Sequence, residues 1–189
     1  MKIFWLSCLL ILLSLKSLEA SQIYFKETTS QETSEIQQHL LSFYAQQLFE
    51  AGLVENLETA IQSATAEWFQ ETIDNPNKKN YYYHIVSKDF LKCSGYIVYS
   101  ITDRTAYLDA IYLEGPCRGQ GFGKLVLEVF ETDQRKNNIE AIKLYVFAHN
   151  IAAFKLYGRM GYLIETSYYD GNKTIGHHMK KNLSKTEVK

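Results

Sequence analysis

The spacing of apolar positions changes several times along the chain, and each change predicts an element. Residues 21–27 alternate apolar and polar side chains, the period of a strand. Thr28 to Ser34 is rich in Thr, Ser, Gln and Glu, the composition of a helix entry. Helical spacing follows over 35–51, carried by Leu40, Leu41, Tyr44 and Leu48, with Gly52 as its stop. A second helix is predicted over 57–73, with Ala60, Ala64 and Phe69 among its apolar positions, closed by a turn at Asn75-Pro76-Asn77. The period then becomes two, predicting strands over 81–87, 94–101 and 106–113, with turns at 88–93 and 102–104. After a glycine-rich turn, Leu125, Val126, Val129 and Phe130 form one stripe of a helix over 123–136. A strand over 142–148, a helix over 150–160, a strand opened by Gly161 and a last strand near 174–180 complete the pattern. The order β-α-α-β-β-β-α-β-α-β-β describes one layered domain of the α/β or α+β class, a mixed sheet with helices on its faces.

The first twenty residues do not belong to that pattern. Lys2 is followed by a nearly unbroken apolar run from Ile3 to Leu15, then Lys16 and a small residue at Ala20. This is the form of a secretory signal with cleavage after Ala20. The run is shorter than the ~20 residues of a membrane span. Leu18, three positions before the cut, is larger than such sites favour, which leaves an uncleaved, membrane-associated start as the alternative. Residues 21–183 form the domain and 184–189 a polar tail. The location is export or membrane association through 1–20, with the cytoplasm as alternative.

The 189 residues suit one domain with a short appendage, and 46% hydrophobic content suits a packed core. A formal net charge of −1 provides no field to draw in nucleic acid, so no nucleic-acid partner is expected. Cys8, Cys93 and Cys117 fit no zinc spacing and no CxxC pattern. Two unpaired thiols are expected at Cys93 and Cys117, in preference to a bridge between them.

The segment Arg118-Gly119-Gln120-Gly121-Phe122-Gly123-Lys124 lies between a predicted strand and a predicted amphipathic helix. Glycines let a backbone approach a ligand closely, and free amides at a helix start point at an anion. Arg118 and Lys124 add charge beside a phosphate. A P-loop is excluded because Arg118 replaces its first glycine and Leu125 follows the lysine. The GxGxxG fingerprint is excluded because the glycines are spaced GxGxG. A flexible turn without a ligand remains the alternative.

This segment resembles the (Arg/Gln)-x-x-Gly-x-(Gly/Ala) motif of the GNAT superfamily of acetyltransferases. The preceding Leu108-Asp109-Ala110-Ile111-Tyr112-Leu113 resembles its fourth strand. Downstream, the stretch from Asn150 through Ala153, Leu156 and Tyr157 to Gly161-Tyr162 is similar to its second signature, Asn-x-x-Ala-x-x-Leu-Tyr-x-x-x-Gly-Phe. The resemblance covers about 22–183. It implies a mixed, mostly antiparallel sheet of about six to seven strands with helices on both faces. It also implies acetyl-CoA as cosubstrate and direct transfer to an amine, with no metal.

By that resemblance, backbone groups of Ile111, Tyr112 and Leu113 pair with pantetheine like an added strand. The amides from Gly119 through Gln120, Gly121, Phe122 and Gly123 to Lys124 hold the pyrophosphate, and Asn150 bonds the pantetheine arm. Tyr157 is the acid that protonates the departing thiolate; a phenol holds its proton at neutral pH. A core aromatic with its hydroxyl tied off is the competing reading for Tyr157, since Ala152, Ala153, Leu156, Tyr157 and Met160 share one helix face. By alternation Asp109 shares a face with Tyr107, Ile111 and Leu113, where a carboxylate suits a base, or a buried salt bridge or turn anchor. Glu114 and His149 are weaker candidates. Relatives that acetylate ribosomal-protein amino termini carry a glutamate on the fifth strand, where this chain has Tyr145. His177 and His178, adjacent on a strand, point to opposite faces and do not suggest a metal pair. The competing class of function is a degenerate acyl-CoA-binding sensor or partner module, and a homodimer is left open.

Overall fold

The computed structural model describes residues 23–74, 78–87 and 93–183. The signal-like segment 1–20, the turn at 75–77, most of the turn at 88–93 and the tail 184–189 lie outside the described residues. Among the described residues, no helix is long and apolar enough to cross a membrane.

Seven strands form one sheet: β1 (Ile23–Glu27), β2 (Lys79–Ser87), β3 (Ser94–Thr102), β4 (Thr105–Leu113), β5 (Ala141–Phe147), β6 (Leu163–Asp170) and β7 (Lys173–Asn182). Their order is β1-β2-β3-β4-β5-β7-β6, and every neighbouring pair is antiparallel except β4 with β5. That parallel pair needs a crossover, which α3 (Phe122–Lys136) supplies. The other helices are α1 (Ser30–Glu50), α2 (Leu57–Asp74) and α4 (Ile151–Arg159). The expected order and the mostly antiparallel mixed sheet are what is observed.

The α1 helix starts five residues before the apolar periodicity suggests, because a capping box begins it. Thr29 Oγ1 accepts from Glu32 N–H at 3.3 Å while Glu32 Oε2 accepts from Thr29 N–H at 2.7 Å. It ends at Gly52, whose φ of +72° lets Gly52 N–H reach Phe49 C=O and Leu53 N–H reach Leu48 C=O.

Two helical layers cover the sheet. On one face α3 and α4 close the main core, where Ile97, Leu108, Val126, Leu127, Phe130 and Ile142 are each at most 2% exposed. On the other, Ile36 and Leu40 of α1 pack on Tyr96 and Val98, and Ala45 and Leu48 meet Ala60 and Ala64 of α2. A Cβ at Gly123 would stand 3.0 Å from Leu156 Cδ2, so this glycine keeps α3 and α4 in close approach.

The cysteine expectation is corrected here: Cys93 and Cys117 form a disulfide, with Cα atoms 5.3 Å apart. The β3–β4 register is the reason. It sets Gly95 opposite Leu113 and joins Glu114 N–H to Ser94 C=O at 3.0 Å, so the residue before β3 meets the short 3-10 turn Gly115–Cys117 after β4.

Candidate active site

The β4 and β5 strands pair only over Thr105–Leu108 and Ala141–Leu144, yet β4 continues to Leu113 and β5 to Phe147. Beyond the fourth pair they part, and the parting leaves a strand edge open inside the sheet. Which groups face it follows from the β3–β4 ladder. Glu114 N–H bonds to Ser94 C=O, so the hydrogen-bonded pairs are 94/114 and 96/112. Ile111 and Leu113 fall between them and turn their N–H and C=O groups to the open edge. Tyr112, expected with them, directs its backbone into β3 instead.

A bulge lies at the start of the opening. Val98 stands opposite Ala110 and Tyr99 opposite Leu108, which leaves Asp109 as the extra residue. An extra residue reverses the alternation, so Leu108 and Ile111 both pack in the main core. Asp109 therefore does not share a face with Ile111 and Leu113, as strict alternation predicts. It lies 3.6 Å from Lys78 Nζ, an ion pair of the kind weighed against the base role.

The glycine turn is shaped by left-handed backbone at Gly119 (φ +75°) and Gly121 (φ +87°), with no heavy atom within 4 Å of an added Cβ at either. These glycines are required by conformation, not by crowding. Gly121 is the N-cap of α3 and carries no side chain to satisfy the first turn. Among the described residues the amides of Gly119 to Gly123 have no backbone acceptor, whereas Lys124 N–H bonds to Gly121 C=O at 3.0 Å. Five amides in succession at a helix start make an anion cradle. Two side chains expected to add charge are otherwise engaged. Arg118 Nε donates to Leu113 C=O at 2.7 Å with its guanidinium over the Tyr112 ring, and Lys124 pairs with Glu128 at 3.5 Å. Gln120 Nε2 donates to Pro116 C=O at 2.9 Å, and Phe122 packs its ring on the main core.

Between the parted strands lies a cavity of about 820 Å³, a size suited to small molecules. Ile111, Asn150, Ala153 and Tyr157 line its inner part. Asn150 caps α4 through Oδ1, which accepts from Ala153 N–H at 3.2 Å, so its remaining amide can only donate. The Tyr157 ring packs edge-on to Tyr162 at 5.7 Å, and among the described residues its hydroxyl has no hydrogen-bond partner. The competing reading, a hydroxyl tied off in the core, is therefore not what is observed. Ala152, placed on the same helix face by periodicity, is exposed.

Burial pushes the Tyr157 hydroxyl up to about 12. A thiol ionises near ~8.5, so complete proton transfer from this phenol to a free thiolate is uphill. The hydroxyl is suited instead to donating a hydrogen bond to sulfur as charge develops on it.

Residues 52–162 match the model of the Acetyltransferase (GNAT) family. The chain belongs to that family. No curated protein matches it in sequence. Among solved structures it is similar to YycN of Bacillus subtilis, at 22% identity over 80% of this chain and 98% of that one, with a TM-score of 0.66. It is similar to the PaiA N-acetyltransferase of Thermoplasma acidophilum in complex with coenzyme A, at 20% identity over 85% and 98% of the two chains, TM-score 0.57. The spermidine N-acetyltransferase of Vibrio cholerae, in complex with CoA and spermine, matches at 16% identity over 87% and 98%, TM-score 0.57. At these identities the structures show a shared fold. The anion cradle, open edge and cavity suit the expected cosubstrate, acetyl-CoA.

Several residues of this GNAT site lie beyond the sequence motifs. The outer part of the cavity is built from α1, β5 and the β6–β7 hairpin, including Tyr44, Tyr145, Tyr168 and His178. His178 Nδ1 lies 3.3 Å from the Tyr107 hydroxyl, and burial lowers its pKa below the ordinary 6.5. His177 faces away, its Nδ1 2.8 Å from Ser167 Oγ and its ring 5.0 Å from Phe154 of α4, as strand alternation requires. Tyr145 lies 5.2 Å from the His178 ring, and burial raises its pKa. His149 sits outside the cavity, bonded to Gln47 at 2.9 Å, and Glu114 is exposed at the end of β4. Among the described residues no cluster of His, Cys, Asp or Glu is arranged to hold a metal.

Proposed function

We propose that the protein is an acetyl-CoA-dependent N-acetyltransferase acting on an amine by direct attack on the thioester. The observation that carries this reading is the convergence, at the parting of β4 and β5, of the open Ile111 edge, Asn150 and the unpartnered Tyr157 hydroxyl on one cavity. The glycine cradle outside it accepts the pyrophosphate. The pantetheine arm lies along the edge of β4, bonded by Ile111 and by the amide of Asn150, and brings the thioester to Tyr157.

The amine lone pair attacks the carbonyl carbon and forms the C–N bond. The C–S bond breaks with its electron pair on sulfur. Tyr157 donates a hydrogen bond to the sulfur, which leaves as a thiolate; the nitrogen gives one proton to a base, the thiolate takes one from solvent, and the products are an amide and a thiol. Two groups lining the cavity accept a proton: Asp109, held by Lys78, and His178, which burial keeps neutral near pH 7. His178, less constrained by charge, is the better placed of the two.

The test is CoA release with acetyl-CoA and a panel of amines, beside the acetyl-CoA-induced rise in melting temperature. Release that depends on the amine supports transfer. A melting rise with no release from any amine would instead favour an acyl-CoA-binding module, and no rise at all would remove both. Export is supported by the form of residues 1–20 and agrees with a Cys93–Cys117 bridge, which persists in oxidising compartments. Mass spectrometry of the native amino terminus tests it, with Ser21 expected as the first residue.

A further inference from the structure

We infer that the acceptor is a primary amine carried on an aromatic or similarly flat apolar body, an arylalkylamine rather than a polyamine or a peptide amino terminus. The inference rests on the acetyl-transfer reading and concerns the outer part of the same cavity.

Rings form that part as a continuous wall. The Tyr145 ring lies 5.1 Å from Phe147, 6.0 Å from Tyr168 and 5.2 Å from His178. Phe147 lies 5.9 Å from Tyr44 of α1, and Tyr168 lies 5.2 Å from His178. Four elements contribute these rings: α1, β5 and the two strands of the β6–β7 hairpin. At the mouth Tyr168 is 46% and Tyr169 65% exposed, large apolar surface on a hairpin that lines the cavity. Aromatic walls of this kind hold rings by offset and edge contacts and hold cations over their faces.

Charge narrows the choice. Among the described residues lining the cavity there is no Lys or Arg, and the carboxylates are Asp109 and Asp170. Lys78 neutralises Asp109. Asp170 has no ion-pair partner among the described residues. One uncompensated carboxylate beside an aromatic wall matches one ammonium on an apolar body. A polyamine would bring several cations to a wall with a single free anion. A peptide would bring successive backbone amides that the rings cannot satisfy, at the cost of burying unpaired polar groups.

The experiment measures CoA release with 2-phenylethylamine, n-butylamine, spermidine and a short peptide with a free amino terminus. The kcat/KM for 2-phenylethylamine is expected to exceed the others by about fivefold or more, the scale of one aromatic pair, since every amine of the panel brings the same cation to the rings. Tyr168→Leu should raise KM for 2-phenylethylamine about fivefold more than KM for n-butylamine, because the lost ring contact matters only to an aromatic acceptor. Asp170→Asn should raise KM for both. Both positions are exposed, so these variants keep the fold. Spermidine or the peptide outperforming 2-phenylethylamine, or n-butylamine equalling it, would overturn the inference and leave N-acetyl transfer standing. Absence of release from every amine, with acetyl-CoA still raising the melting temperature, would overturn the acetyl-transfer reading itself.

Discussion

Replacing Tyr157 by Phe removes one oxygen from a site where the consequences can be worked out. The hydroxyl titrates at about 12 because it is buried. Set against a thiol near ~8.5, full proton transfer is uphill by about 3.5 pKa units, or ~5 kcal/mol. On the proposed mechanism this group therefore acts through a hydrogen bond to the sulfur as it gains charge, worth about 2–3 kcal/mol for a charged acceptor. Tyr157→Phe should lower kcat by about 30- to 160-fold. The ground state loses little: the hydroxyl has no protein partner among the described residues, and the ring keeps its contact with Tyr162. Melting temperature should stay within about 2 °C and acetyl-CoA affinity within about twofold, since no buried group is orphaned. Because the phenol stays protonated, the wild type should show no alkaline loss of kcat from this group below about pH 11. The assay is initial-rate CoA release across pH, with calorimetric titration of acetyl-CoA. A variant within threefold of wild type in kcat, or one whose lost activity follows a large fall in melting temperature, would refute the argument.

Three further outcomes are expected. Gly121→Ala forces a side chain into φ +87° with no steric neighbour, so it should destabilise by about 1–2 kcal/mol and weaken acetyl-CoA binding, read by thermal unfolding with and without ligand. Cys93→Ser opens a loop of sequence separation 24, costing about 3.5 kcal/mol on the chain-entropy account and lowering the melting temperature by about 7–14 °C; an unchanged melting curve under dithiothreitol would contradict the bridge. Burial lowers the His178 pKa, so as pH falls through about 6.5 the unfolded chain binds a proton that the folded chain resists. Stability should therefore fall with pH in that window, and His178→Gln should flatten the slope in pH-dependent denaturant unfolding.

Local features of the chain were the legible ones. Hydrophobic period, the glycine stop at Gly52 and the spacing of Gly119, Gly121 and Gly123 act over a few residues, so their structural consequences can be read where they stand. The apolar stripe marks the start of α1 too late because the capping box of Thr29 and Glu32 lies outside it. The Thr-Ser-Glu composition before the stripe carried the signal, but not the boundary.

Sequence alone determined the order of elements, the glycine turn at the start of α3 and the placement of Asn150 and Tyr157 at one helix, because each depends on dihedral preferences and periodicities confined to short segments. Tertiary structure decided the rest. The bulge that turns Asp109 out of the Ile111 face, the parting of β4 from β5 and the Cys93–Cys117 contact all follow from strand pairing over long separations. The aromatic wall joins Tyr44, Tyr145, Tyr168 and His178 from four elements. None of these residues signals the others locally, since what brings them together is the packing of α1 and the β6–β7 hairpin on either side of the open edge.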